Sequence, residues 1–190
     1  MLTENVPTLS VEEIGALLAA AANRPVEVGD GSGRVQDFSH LDHALQVAAV
    51  LRAEGAEGEL AVAGLVHDIG HLLPGVGDPE HAEAGAAAVR AVLGERVAGL
   101  VGLHVEAKRY LVASEDAYGG ELSADSTASL ARQGGAMSAE ERAAFESLPL
   151  SGDAVWLRRA DERGKVPGLH VGDLEEWMAL VATVADGHGR

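Results

Sequence analysis

A histidine and an aspartate, His67 and Asp68, close a segment that is apolar almost all round: Leu60-Ala61-Val62-Ala63-Gly64-Leu65-Val66. A helix with no polar face belongs in an interior, so the two polar side chains at its end enter a low-dielectric region and need partners. Neighbours on a helix point about 100° apart, which rules out an i,i+4 surface pair and lets them meet one cluster from adjacent angles. A metal satisfies both. A carboxylate carries two oxygens and bridges two cations, whereas an imidazole contributes one nitrogen, so Asp68 is expected to bridge and the histidines to take terminal positions. With His43, His81, His104 and Asp161, these residues make a six-membered dinuclear shell. A single His-Asp pair is more often a hydrogen-bonded surface feature, and His43 or His81 alone would read as a core histidine. The set together favours metal. His40 and His188 read as ordinary polar residues. Mixed nitrogen and oxygen ligation suits iron or manganese and does not exclude zinc; with no cysteine in the chain, thiolate and iron-sulfur sites are excluded.

The chain is rich in alanine and poor in aromatic residues, which favours closely spaced helices over a sandwich. The expected fold is all-α, a helical bundle around the dinuclear site, with residues 1–190 forming one domain. A net charge of −16 argues against a nucleic-acid partner, because a phosphate backbone needs a basic footprint. No charged-then-apolar leader and no apolar run of roughly 18 residues are seen, so no membrane association and a cytoplasmic location are expected.

Ser10 with Glu13 forms a capping pattern opening a helix over Val11 to Ala22, ended by Pro25. Gly29 to Gly33 reads as a turn that lacks the lysine of a phosphate loop. Helices are expected over His40 to Arg52 and Glu59 to His67, then a glycine- and proline-rich loop from Leu72 to Asp78 over the cluster. The next helix starts at Pro79 or Glu80 and runs to Leu93, with His81 in its first turn; Gly94-Glu95 breaks it before Val97 to Leu111. There His104 and Lys108 sit four apart on one face, a ligand and a cation able to hold an anion against the metals; a snorkelling surface lysine is the plainer alternative for Lys108. A short helix over Ser126 to Gln133, one starting at Ser138, one over Ala154 to Asp161 and a last one over Asp173 to Val184, packed through Trp177 and Leu180, complete the pattern.

The ordered series of His43-Ala44-Leu45-Gln46, His67-Asp68-Ile69-Gly70-His71, His104 to Leu111, Ser129 to Ser138 and Leu157 to Lys165 resembles the HD-domain superfamily. More narrowly, it is similar to the mixed-valent diiron oxygenases that cleave organophosphonates, over most of residues 36 to 165. The resemblance implies two irons, Fe(II)/Fe(III), one held by His43, His67, Asp68 and Asp161 and the other by Asp68, His81 and His104. His71 and Lys108, as catalytic residues, would clamp the phosphonate, completed by Ser126 and Gln133. The implied reaction is dioxygen-dependent cleavage of the carbon–phosphorus bond of a 1-hydroxyalkylphosphonate to phosphate and a carboxylic acid, without nicotinamide or flavin. The implied partner is a small anionic organophosphonate, and the chain is expected as a monomer or homodimer.

Departures from the family pattern concern the substrate's far end. Members acting on an aminoethyl substrate carry a tyrosine and a glutamate ahead of the first histidine, and the matching positions here are Gly33 and Gln36. Glutamine keeps hydrogen bonding but lacks the charge that pairs with an ammonium. Ala136 stands for the usual proline and Ala160 for a tryptophan, changes that bear on packing. A metal-dependent phosphomonoesterase or nucleotidase, an oxygenase of a non-phosphonate hydroxylated compound, and a non-catalytic binding protein remain the alternatives.

Overall fold

The computed structural model describes residues 6–26 and 38–188. Helix α1 (Val11–Ala21) opens on a reciprocal cap: the Glu13 backbone N–H donates to the Ser10 hydroxyl (3.2 Å) and the Ser10 N–H to the Glu13 carboxylate (2.8 Å). The same device, Ser39 with Asp42, starts α2 (His40–Ala53) and so fixes the turn that carries His43. Each such cap satisfies backbone donors that would otherwise be orphaned at a helix start.

Helix α3 (Gly58–Val66) buries every residue from Leu60 to Val66, as a helix without a polar face must. Burying each of its leucine and valine side chains contributes about 1.5–3 kcal/mol. It packs against α2, against α4 (His81–Ser114) and against α8 (Ser151–Arg163), and these four helices supply the core around the site. A 3-10 turn, Ile69–Leu72, links α3 to the loop before α4. Short helices α5 (Tyr118–Glu121), α6 (Ala124–Arg132) and α7 (Ala139–Glu146) follow α4. Helix α9 (Leu174–His188) closes the bundle over α1, α3 and α4, with Trp177 fully buried and the Arg52 guanidinium 4.1 Å from its ring centroid. Among the described residues no strand forms; Pro25 and Ser39 pair as an isolated antiparallel bridge. No helix there is long and apolar enough to cross a membrane.

Three expectations need adjustment. Helix α3 stops at Val66, with His67 as its C-cap, so Asp68 (φ −96°, ψ 9°) lies outside the helix and diverges from His67 more freely than helical neighbours would. The break at Gly94 is a kink inside α4: φ 85° and ψ 172° are open in practice only to glycine, and His188 packs against it. Of the loop before α4, Leu73 turns into the core and only the Asp78 end reaches the cluster. The turn at Gly29 to Gly33 lies outside the described residues.

The 3-10 turn lies directly on the start of α4: a Cβ at Gly70 would fall 1.9 Å from the His81 carbonyl oxygen, so backbone meets backbone there. Gly152, in the first turn of α8, has nothing within 4 Å of its Cβ position. Urea denaturation is expected to show Gly70→Ala destabilised by about 3 kcal/mol or more, against a gain of up to about 1 kcal/mol for Gly152→Ala. Equal midpoints for the two variants would contradict that close approach.

Candidate metal centre and anion cavity

Asp68 stands between two pairs of histidines. Its Oδ2 lies 3.4 Å from His67 Nε2 and 3.7 Å from His43 Nε2. Its Oδ1 lies 3.5 Å from both His81 Nε2 and His104 Nε2. Asp161, from the end of α8, closes the first half with Oδ1 3.2 Å from His43 Nε2 and 3.9 Å from His67 Nε2. All six residues expected as ligands therefore meet, in two halves that share one carboxylate.

Each imidazole is aimed by its other nitrogen. Nδ1 donates to a backbone carbonyl in all four rings: His43 to Gly164 (2.8 Å), His67 to Gly64 (2.8 Å), His81 to Asp78 (2.6 Å) and His104 to Val101 (2.7 Å). A carbonyl only accepts, so the proton sits on Nδ1 and the Nε2 lone pair faces the centre, as metal-ligating histidines require. His67 Nε2 is buried without a hydrogen-bond partner. His81 Nε2 and His104 Nε2 are 3.0 Å apart, two lone pairs in contact. Ligands at right angles on an ion with bonds of 2.0–2.1 Å sit about 3 Å apart, so the residues present fit a metal in each half.

The electrostatics agree. Burial holds His43 down at about pKa 3, with repulsion from Lys165 adding to it, and burial pushes His104 well below the imidazole range. Both rings are thus neutral and ready to ligate. Burial opposes ionisation of Asp68, but attraction from the surrounding ring of imidazoles outweighs it and holds the carboxyl well below its usual range. Gln46, fully buried on α2, accepts from the Val166 N–H (2.9 Å) and donates to the Val166 and Leu169 carbonyls (2.8 and 2.9 Å). It thereby staples the chain after α8 so that the Gly164 carbonyl reaches His43.

Beside Asp68 opens a cavity of about 70 Å³. Lys108, Ser126, Gln133 and His71 all line it, as expected from the sequence. Lys108 is buried and donates to the Ser129 hydroxyl at 2.7 Å. Burial, then repulsion from Arg158, brings its pKa down to about 7. Gln133 donates to Asp78 at 3.3 Å, and its Oε1 is buried without a partner. The His71 ring stacks on His81 at 3.9 Å between centroids with planes 15° apart, near enough to Asp68 and His81 to be a candidate ligand as well.

Seven lining residues were missed, Val26, Asp78 and Asp125 among them. Arg158 and Lys165 bring two further cations, Ser129 a hydroxyl, and His40, read as an ordinary polar residue, also faces the cavity. Arg158 is three residues before Asp161, an offset that places it beside that carboxylate on one face of α8, and that spacing was the available signal; Lys165 lies four after Asp161, past the end of the helix, where helical spacing gives no signal. Gly33 and Gln36 lie outside the described residues.

A family model described as HD domain matches residues 41–144. A protein named hydroxymethylphosphonate dioxygenase, from Gimesia maris, is 38% identical over 155 residues, which cover 77% of each chain. A 1-hydroxy-2-(trimethylamino)ethylphosphonate dioxygenase (glycine-betaine-forming), from Leisingera caerulea, is 36% identical over 168 residues, 84% of this chain and 86% of that one.

The geometry predicts distinct metal stoichiometries, read by elemental analysis of iron-loaded protein. Asp68→Asn, which removes the shared carboxylate, is expected to lose both ions; His104→Ala loses one, and Lys108→Ala retains the full content. Metal loss in Lys108→Ala, or full content in Asp68→Asn, would contradict the assignment.

Proposed function

The chain belongs to the HD domain family, and we propose that it is an iron-dependent oxygenase that cleaves the carbon–phosphorus bond of a 1-hydroxyalkylphosphonate. One dioxygen is consumed, and the products are phosphate and a carboxylic acid; all electrons come from the substrate, so no nicotinamide or flavin is required. The observation that carries this reading is the shared carboxylate Asp68, faced by four aimed imidazoles and adjoining a cation-lined cavity. The two relatives named as phosphonate dioxygenases support it.

In this proposal His43, His67 and Asp161 hold one iron, His81 and His104 the other, and Asp68 lies between the two. A bound Fe(II)/Fe(III) pair would supply the dioxygen chemistry that side chains lack. The residues of the chain then bind and orient. Lys108, Arg158 and Lys165 offset the phosphonate charge in a region otherwise walled by carboxylates, where an unpaired dianion would be strongly disfavoured. His71, Ser126 and Gln133 contribute directed polar contacts, and the buried free Oε1 of Gln133 is an acceptor suited to the substrate hydroxyl. Anchoring the phosphonate and the hydroxyl by separate groups fixes the carbon between them, which is how positioning lowers the barrier. Gly33 and Gln36 are proposed to set which far-end group is accepted.

Protein loaded anaerobically with Fe(II) and then given limited oxygen is expected to release one phosphate per dioxygen from hydroxymethylphosphonate or a longer 1-hydroxyalkylphosphonate. Phosphate release from phosphate esters without oxygen, with no phosphonate consumed, would instead establish a hydrolase.

The lowered pKa of Lys108 gives a second test. The ammonium is charged below about pH 7 and neutral above it, so it aids anion binding on the acid side and ceases to on the alkaline side. The ratio of phosphonate KM in wild type to that in Lys108→Met is expected to rise above pH 7 by up to about tenfold per unit, until the two converge. A ratio independent of pH would remove Lys108 from the anion site.

A further inference from the structure

Glu162 follows the candidate ligand Asp161 and has no place in the reaction outlined above, yet it holds three residues of the cavity wall. Its Oε1 accepts from the Ser123 backbone N–H at 2.6 Å. Its Oε2 accepts from the Ser126 hydroxyl (3.0 Å), from Lys165 Nζ (3.2 Å) and from Arg158 Nη2. All four partners are donors. Three of them, Ser126, Arg158 and Lys165, line the cavity.

The setting explains the need for a charge there. Arg158 and Lys165 both donate to the one Ser126 oxygen, at 3.2 and 2.9 Å, so two cations converge on a hydroxyl in a half-buried place. Like charges so close repel, and long side chains relieve repulsion by turning toward water. Helix α6 also needs holding. Its buried residues are only Ser126 and Ser129, and polar contacts tie it to the rest of the protein: Ser123 and Ser126 to Glu162, Ser129 to Lys108, Arg132 to Asp78.

We infer that Glu162 is a positioning residue of the anion cavity, an internal counter-charge that fixes Arg158, Lys165 and the Ser126 end of α6 so that they are preorganised for a phosphonate. The inference rests on the proposed function for the identity of the anion, but not for its own test. Two effects of opposite sign separate it from plain electrostatics. A carboxylate beside an anion site repels the anion, so a residue with no positioning role would, when neutralised, tighten binding. A positioning residue would weaken it. Glutamine cannot substitute, because its amide offers one acceptor oxygen and turns an NH₂ toward partners that are all donors.

The experiment is calorimetric binding of inorganic phosphate to the iron-loaded protein, with iron content measured in the same samples. Glu162→Gln is expected to bind phosphate about tenfold more weakly or worse, as removal of a buried charged acceptor implies, with iron content unchanged. In turnover, KM for the phosphonate rises by a larger factor than kcat falls, and Glu162→Asp recovers part of the loss. Unchanged or tighter phosphate binding in Glu162→Gln would overturn the inference, as would loss of iron in step with loss of binding. Should the glutamine variant not fold, Glu162→Asp carries the test: weaker phosphate binding with iron retained supports the inference, and wild-type binding overturns it. If wild type binds phosphate but consumes no phosphonate, the proposed reaction fails while the role of Glu162 is still measured.

Discussion

The arrangement depends on one half-buried carboxylate, Asp68, shared between two pairs of imidazoles. Its two oxygens face opposite pairs at 3.4–3.7 Å and 3.5 Å, and every neighbouring element is set to preserve that division. Helix α3 ends at Val66, so Asp68, just ahead of the 3-10 turn, is free to set its carboxylate between His67 and the histidines of α4. That turn in turn lies against the α4 backbone that presents His81. A glycine kink then separates the two stretches of α4 that present His81 and His104. Four Nδ1 donors anchored on main-chain carbonyls make the orientation a property of the backbone, which costs little side-chain freedom to maintain.

Beside this centre the protein solves an opposite problem. A chain of net charge −16 repels anions at long range, so the anionic substrate proposed for it would have to be recruited by a local concentration of cations. Lys108, Arg158 and Lys165 provide it, from α4, α8 and the residues just after α8. Packing them together would be unfavourable alone; Glu162 and Asp161 offset the charge within the wall itself. The carboxylates proposed to ligate or support ligation therefore also stabilise the groups that would grip the substrate, so the candidate metal site and the anion cavity share a structural basis.

The residues that meet at the candidate metal centre were legible because their chemistry is unusual at each position. A histidine and an aspartate at the end of an all-apolar segment have few alternatives, and Lys108 one turn after His104 follows from helical periodicity. Arg158 and Lys165 were harder to read. Charged residues near a helix end are usually solvated, and only the return of α8 against α4 buries Arg158 to 3% exposure. His40 shows the same limit: its side chain lines the cavity because the Ser39 cap sets the angle of α2.

The amino-acid sequence by itself determined the longer helices, the cap at Ser10, the break at Gly94 and the identity of the six candidate ligands. These follow from local rules: periodicity, side-chain hydrogen bonds within one turn, and the cost of burying a polar group. Only the tertiary structure decided which oxygen of Asp68 faces which histidines, which cations enter the cavity and what holds them there. The reason is distance along the chain. His43 is aimed by the carbonyl of Gly164, 121 residues away, Ser123 is held by Glu162, 39 residues away, and no local pattern encodes contacts made only when the helices pack.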